Sequence, residues 1–192
     1  MKLVVLGSGS GTNALSILQE FQKDKLGKVT EISLFSDVKD SGFLKHGAAF
    51  GCKTSYLKTC PNRAKIVGDY EANWIEEIDS HKPGLIVLAG FMKILSKNFI
   101  HFFDGRIINL HPSLLPSFKG LDAIERAFTH GVKITGCTVH WVNDSIDCGK
   151  IIDQSPVRIF DDDDLDNVTS RIHAAEHYLL PKVIRELSEN IG

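Results

Sequence analysis

The sequence predicts an α/β fold, a Rossmann-like, mostly parallel central sheet with a C-terminal antiparallel strand ribbon and a long C-terminal helix. Three observations carry this expectation. Short apolar, β-rich runs alternate with segments of helical periodicity as far as Leu110, the rhythm of βαβ units. The first of these runs passes through a glycine-rich turn straight into a helix. Beyond Gly120 two strand-like runs are joined by only a short polar segment, which suits antiparallel pairing, and a long amphipathic segment follows.

Each element has a local reason. Lys2–Leu6 is a continuous apolar run, as expected of a strand buried on both faces. Thr12–Phe21 carries Leu15, Leu18 and Phe21 at helical spacing. Glu31–Phe35 reads as the second strand, Ser41–Phe50 as a helix closed by Gly51, and Cys52–Leu57 as a short third strand. The spacing of Ile66, Tyr70, Trp74, Ile75 and Ile78 predicts a helix over Asn62–Ser80. Gly84–Ala89 and Arg106–Leu110 are the fourth and fifth buried strands. Asp122–Thr129 is helical and stops near Gly131, and Ile134–Val142 and Lys150–Arg158 form the ribbon around NDSIDCG. The last helix, Leu165–Leu187, has the stripe Leu165, Val168, Ile172, Leu179 and Val183, with a kink expected at Pro181.

Composition excludes several classes. With 43% hydrophobic and 24% charged residues the chain is expected to fold as an ordinary globule, and 192 residues suffice for one core without a metal or disulfide staple. Apolar runs such as Leu85–Phe91 fall far short of the roughly 20 residues a bilayer requires. The start MKLVVLGSGSGTN is too briefly apolar for a signal peptide, so a cytoplasmic protein is expected. The balance of 22 basic against 24 acidic residues, with no basic concentration, argues against nucleic acid as partner. Cys52, Cys60, Cys137 and Cys148 lack paired-ligand spacing, so free thiols and no metal are expected. The run Asp161–Asp164 reads as a solvated loop before the last helix.

Two motifs carry chemistry. In Gly7-Ser8-Gly9-Ser10-Gly11-Thr12-Asn13, glycines let backbone amides approach an anion while the helix N-terminus adds unpaired donors and the positive dipole end. No lysine follows, which excludes a Walker A loop, and Thr12 stands where the dinucleotide fingerprint needs its third glycine. Asp37 could still act as a ribose-binding acid, and a turn without ligand is the plain alternative, but a single terminal phosphate is the preferred reading. The second motif is Asn109-Leu110-His111-Pro112-Ser113-Leu114-Leu115-Pro116. Residues two apart on a strand share a face, so Asn109 and His111 project together where an apolar strand ends. An amide can donate to a developing oxyanion, and an imidazole can donate or shuttle a proton. A carboxylate partner for His111 comes from Asp144 or Asp147, and residue chemistry leaves both open. His140 either lines the site behind His111 or is an ordinary sheet-face histidine. Glu176 sits at helical spacing within the apolar stripe of the last helix, so it should be buried and partnered.

Through VVLGSGSGTN, IVLAGFMKILS, INLHPSLLPSFKG, TGCTVHWVNDSIDCGKII and AAEHYLLPKV, over nearly its whole length, the sequence resembles the phosphoribosylglycinamide formyltransferase family. The histidine-loop string is shared with other folate-dependent formyltransferases and with formyltetrahydrofolate hydrolases. The resemblance implies formyl transfer from the co-substrate 10-formyltetrahydrofolate to the amine of phosphoribosylglycinamide in purine synthesis. It implies the catalytic residues Asn109, His111 and Asp147, and it chooses Asp147 as the second acid of D-x-x-D-x-G. It implies substrate contacts from Gly11, Thr12, Asn13, His173 and Glu176. His173 stands where relatives carry Lys or Gln for the phosphate. Folate contacts are implied for the backbone of Met92, Lys93 and Leu95, for Asn143 and Asp144, and for Arg63 toward the glutamate tail. A cis Leu115–Pro116 bond is implied as well. Cys148 and Lys150 depart from the family's Gly and Pro in the turn after Asp147. The expected organisation is a single formyltransferase domain over 1–192, with a phosphate-binding half (1–105) and a catalytic, folate-binding half (106–192), acting as monomer or homodimer. Another formyltransferase, a formyltetrahydrofolate hydrolase and an NAD-binding Rossmann protein are the alternatives.

Overall fold

The computed structural model describes residues 1–59, 66 and 68–190. Its elements in chain order are β1 (Lys2–Leu6), α1 (Thr12–Gln22), β2 (Glu31–Ser36), α2 (Gly42–Ala49), β3 (Lys53–Tyr56), α3 (Asp69–Ser80), β4 (Leu85–Leu88), α4 (Lys97–Phe102), β5 (Ile107–His111), α5 (Ala123–His130), β6 (Ile134–Trp141), β7 (Ile151–Arg158) and α6 (Leu165–Asn190). They build a seven-stranded sheet in the order β3-β2-β1-β4-β5-β6-β7. The pairs from β3 to β5 are parallel, and β6 and β7 run antiparallel. The Rossmann-like α/β sheet, its antiparallel ribbon and the long last helix are therefore as the sequence predicts.

Strand alternation sorts the core into two layers. Leu3, Val5, Leu85, Val87, Ile108, Leu110, Cys137 and Val139 face one side, where α1 and α6 cover them with Ile17, Leu18, Val168, Ile172, Leu180 and Val183. Val4, Leu6, Ile86, Leu88 and Ile107 face the other, under Trp74 and Ile78 of α3 and Phe99 and Ile100 of α4. On this second face the polar side chains Asn109, His111, Thr138 and His140 continue the rows begun by Ile107, beyond the part α3 and α4 cover. The chemistry thus occupies the stretch of sheet where the helical layer gives way to loops.

Three details differ from the sequence reading. Within the described residues α3 begins at Asp69, after Gly68 at φ 63, and Ile66 stands outside it; positions 62–65 and 67 of the expected helix lie outside the described residues. The helix α4 was not expected. Ser96 caps it, its hydroxyl accepting from the Phe99 amide. Finally, α6 runs through Pro181 to Asn190, and the missing proline amide leaves the His177 carbonyl without its helical donor. Asp164 starts α6, its carboxylate accepting from the Asn167 amide at 2.7 Å.

Candidate active site

Because β1, β4 and β5 are parallel, their C-terminal ends bring together the glycine turn, the segment after β4 and the His111 loop, the edge where open α/β sheets bind ligands. Hydrogen bonds join the first two. The Ser8 amide donates to the Gly90 carbonyl at 3.1 Å, and the Ser8 hydroxyl accepts from the Met92 amide at 2.9 Å. The same hydroxyl donates to Asp37 Oδ1 at 2.5 Å, and Lys93 Nζ lies 3.9 Å from Asp37 Oδ2.

At the N-terminus of α1, Gly11 adopts φ 82 and lies so close to α2 that a Cβ would stand 2.5 Å from the Phe43 Cα. Only glycine fits this position. No side chain caps α1 and its first turn has no acid, so the amides of Thr12, Asn13 and Ala14 remain for a ligand. Asn13 Nδ2 donates to Glu176 Oε2 at 3.1 Å, while Asn13 Oδ1 is buried without a partner. Burial pushes the Glu176 carboxyl up, against the Asn13 hydrogen bond and the charge of His173 one turn away. His173 itself is exposed. A groove of about 400 Å³ between α1 and α6 shares Thr12 with this turn and is also lined by His177, whose buried Nε2 has no partner.

The polar face of β5 and β6 holds the titratable cluster. Antiparallel register sets Asn109 opposite His140 and His111 opposite Thr138. Asn109 Nδ2 and His140 Nε2 are 3.3 Å apart, and His140 Nδ1 lies 2.9 Å from the Trp141 carbonyl. A carbonyl only accepts, so Nδ1 carries a proton; Nε2 accepts from the Asn109 amide when the ring is neutral and faces Asp147 as a donor when it is charged. His111 Nε2 lies 3.0 Å from the Phe118 carbonyl, and His111 Nδ1 lies 3.4 Å from Asp147 Oδ2. Both partners are acceptors, so the charged ring can serve both and the neutral ring one. Asp147 Oδ1 is 3.6 Å from His140 Nε2, and Asp147 Oδ2 accepts from the Gly120 amide at 2.8 Å. Burial would raise the Asp147 carboxyl. The His140 hydrogen bond, the Gly120 amide and the charges of both histidines outweigh it and hold the group below its ordinary range.

The backbone enforces this arrangement. Asp147 has φ 49, and at Gly149 a Cβ would meet the Trp141 carbonyl at 1.5 Å, so the turn folds flat against β6. Leu115–Pro116 is cis. The fully buried Thr138 hydroxyl accepts from the Leu115 amide at 3.1 Å and donates to the Ser113 carbonyl at 2.6 Å, which fastens the His111 loop to β6.

Of the two acids left open by residue chemistry, Asp147 meets His111, whereas Asp144 turns to His101 (3.2 Å) and Lys97 (3.8 Å). That contact brings the 143–147 loop next to the segment after β4. Asn143 accepts the Ser145 amide and donates to the Cys148 carbonyl, shaping the loop. Leu95 is buried in the α3–α4 core and the Lys93 ammonium lies toward Asp37. Met92 (64% exposed) and Ile146 (58%) leave apolar side chains open on the two segments, which suits a flat ring system between them. Arg63 lies outside the described residues. Sequence reasoning left His140 undecided and missed Phe118, Gly120, Ser8 and His177. The first two act through backbone atoms, which no residue type reveals.

Comparison with known proteins matches residues 1–184 to the family described as formyl transferase. A phosphoribosylglycinamide formyltransferase of Escherichia coli K12 is 37% identical over 184 residues, covering 96% of this chain and 85% of that protein. One from Bacillus subtilis 168 is 35% identical, covering 97% and 94%. Among solved structures, glycinamide ribonucleotide transformylase 1 from Symbiobacterium toebii superposes with a TM-score of 0.90 at 35% identity, covering 99% of this chain and 88% of that one.

Proposed function

Given that this chain belongs to the formyl transferase family, we propose that it transfers the formyl group of 10-formyltetrahydrofolate to the amine of phosphoribosylglycinamide, a step of purine synthesis. The observation that carries the chemistry is the cluster of Asn109, His111, His140 and Asp147 where β5 ends. The folate supplies an activated formyl carbon. Asn109 Nδ2 donates to the oxygen that gains negative charge as the amine attacks. A protonated His111 beside it supplies positive charge, its own N–H groups being held by the Phe118 carbonyl and Asp147. Asp147, against His111 Nδ1, is the group placed to receive the amine proton and pass it to the departing nitrogen. The reaction is direct acyl transfer, with no covalent bond to the enzyme.

The terminal phosphate binds the amides of Gly11, Thr12 and Asn13, with His173 beside it and Glu176 toward the ribosyl group. The phosphate contact is supported by the uncapped α1 terminus, and the unpartnered Asn13 Oδ1, an acceptor, suits a hydroxyl of the ribosyl group. The folate ring lies along the backbone of Met92, Lys93 and Leu95 and the loop of Asn143 and Asp144, and Arg63 meets its glutamate tail. The same reading makes 1–192 one formyltransferase domain working in the cytoplasm on small molecules, as a monomer or homodimer. Among the described residues no helix is long and apolar enough to cross a membrane.

The test mixes purified protein with 10-formyltetrahydrofolate, with and without phosphoribosylglycinamide, and follows folate absorbance. Conversion only when both are present is the expected result. Conversion without phosphoribosylglycinamide would make the protein a hydrolase, and none in either case would overturn the reading.

A further inference from the structure

Between the His111 loop and α5 lies a short strap, residues 118–121, whose three consecutive residues each grip a different part of the titratable cluster. The Phe118 carbonyl meets His111 Nε2 at 3.0 Å. The Lys119 ammonium donates to the Cys148 sulfur at 2.9 Å, one residue past Asp147. The Gly120 amide donates to Asp147 Oδ2 at 2.8 Å. The strap therefore touches both members of the His111–Asp147 pair and the turn that carries the acid.

Little intrinsic to the strap holds this shape. Phe118 and Gly120 have φ 53 and 81, and Asp122 just beyond has φ 55. Left-handed backbone at a phenylalanine is unfavourable and persists only when the surroundings impose it. Leu121 is 75% exposed, so apolar burial does not anchor the far end. What does is one side chain of α5. Arg126 Nη1 donates to the Lys119 carbonyl at 2.6 Å and to the Leu121 carbonyl at 3.3 Å. Its guanidinium lies 5.9 Å from the centre of the Phe118 ring, against which His130 also packs at 5.8 Å. Planar donors that bond carbonyls and face an aromatic ring together are particular to arginine.

We propose that residues 118–121 are a positioning strap for His111 and Asp147, and that Arg126 is the positioning residue that sets the strap's shape. Arg126 touches none of the residues assigned to the reaction and acts through the Phe118 carbonyl and the Gly120 amide. This rests on the function proposed above only insofar as it concerns rate. The geometric part stands on Asp147 alone. The groups facing Asp147 are His111 from β5, His140 from β6 and the Gly120 amide from the strap. Asp144 of its own loop is turned to Lys97 and His101. Loosening the strap therefore weakens one of the interactions that keep the carboxylate charged.

The test compares Arg126→Ala and Arg126→Lys with wild type by a ¹³C NMR titration of the Asp147 carboxyl, alongside kcat, KM and Tm. In Arg126→Ala the Asp147 midpoint is expected to rise while Tm holds. In the same variant kcat falls roughly tenfold, as small misplacements of reacting groups do, with both KM values little changed. Arg126→Lys should lie between, since an ammonium can bond a carbonyl but lacks the fork and the plane. An Asp147 midpoint unmoved in Arg126→Ala overturns the proposal whatever the rate does. A wild-type protein that transfers no formyl group overturns the functional reading instead, and the NMR midpoint still decides the strap.

Discussion

The two ends of the site are built on opposite plans. Around α1 the candidate phosphate cradle is made of backbone, with Gly11 forced by contact with α2 and amides left free by an uncapped helix. Around β5 and β6 the candidate reaction centre is made of side chains: His111, Ser113, Thr138 and His140 are buried and each has a polar partner. Backbone amides do not titrate and cannot be removed one at a time, so the first end should respond to shape. The second end should respond to protons and to single-atom changes. The physical reason lies in the sheet. Its parallel part is covered by helices on both faces and needs apolar strands, whereas at β5 and β6 one face is left to loops, where polar residues can be satisfied.

Substitutions at the side-chain end should have the largest effects. Asn109→Ala removes an oxyanion donor and should lower kcat by on the order of 100- to 1000-fold with KM nearly unchanged, read in steady-state assays. Retention of near wild-type kcat would remove Asn109 from that role. Asp147→Asn keeps the size and the tolerance for left-handed backbone but loses the charge, and kcat should fall on the order of 100-fold. It should also alter acid stability. The folded Asp147 carboxyl sits below its ordinary value of 3.8, so its contribution is full above that value and is lost as pH falls through the depressed one. Thermal melts below pH 4 should therefore fall less steeply in Asp147→Asn than in wild type.

At the backbone end, Gly11→Ala places a methyl group against Phe43 at positive φ. KM for phosphoribosylglycinamide should rise roughly tenfold, about 1.4 kcal/mol, with kcat at saturation much less affected. The smallest effect is expected at Glu176, whose raised value has the opposite sign. The folded state holds that proton more tightly, so stability rises as pH falls through the raised value, and the charged form costs stability above it. Glu176→Gln, which keeps an acceptor for Asn13, should melt higher than wild type at pH 7 and lose the advantage in acid. Equal melting curves at both pH values would deny the burial cost.

What the sequence made legible follows the same division. The strands β1 and β4 were readable because burial on both faces demands unbroken apolar runs. Asn109 and His111 were readable as neighbours because alternation alone puts them on one face. His140 was not, since its place depends on β6 lying beside β5 in a register that sets it opposite Asn109. Asp147 could not be told from Asp144 by residue chemistry, because a left-handed residue and a flat glycine turn decide which carboxylate returns to the sheet. The helix α4 was hidden by its brevity, although Ser96 followed by Phe99, Ile100 and Phe103 was the signal available. The α3 stripe was sound at Trp74, Ile75 and Ile78, but Ile66 stands outside the helix, which starts only after Gly68 at positive φ.

The division between the two ends is tested most directly by calorimetric titration of phosphoribosylglycinamide into wild type, Asp147→Asn and Gly11→Ala without folate. Separate ends predict a Kd for Asp147→Asn within about twofold of wild type and a Kd for Gly11→Ala weakened roughly tenfold. Loss of binding in Asp147→Asn comparable to that in Gly11→Ala would contradict the account.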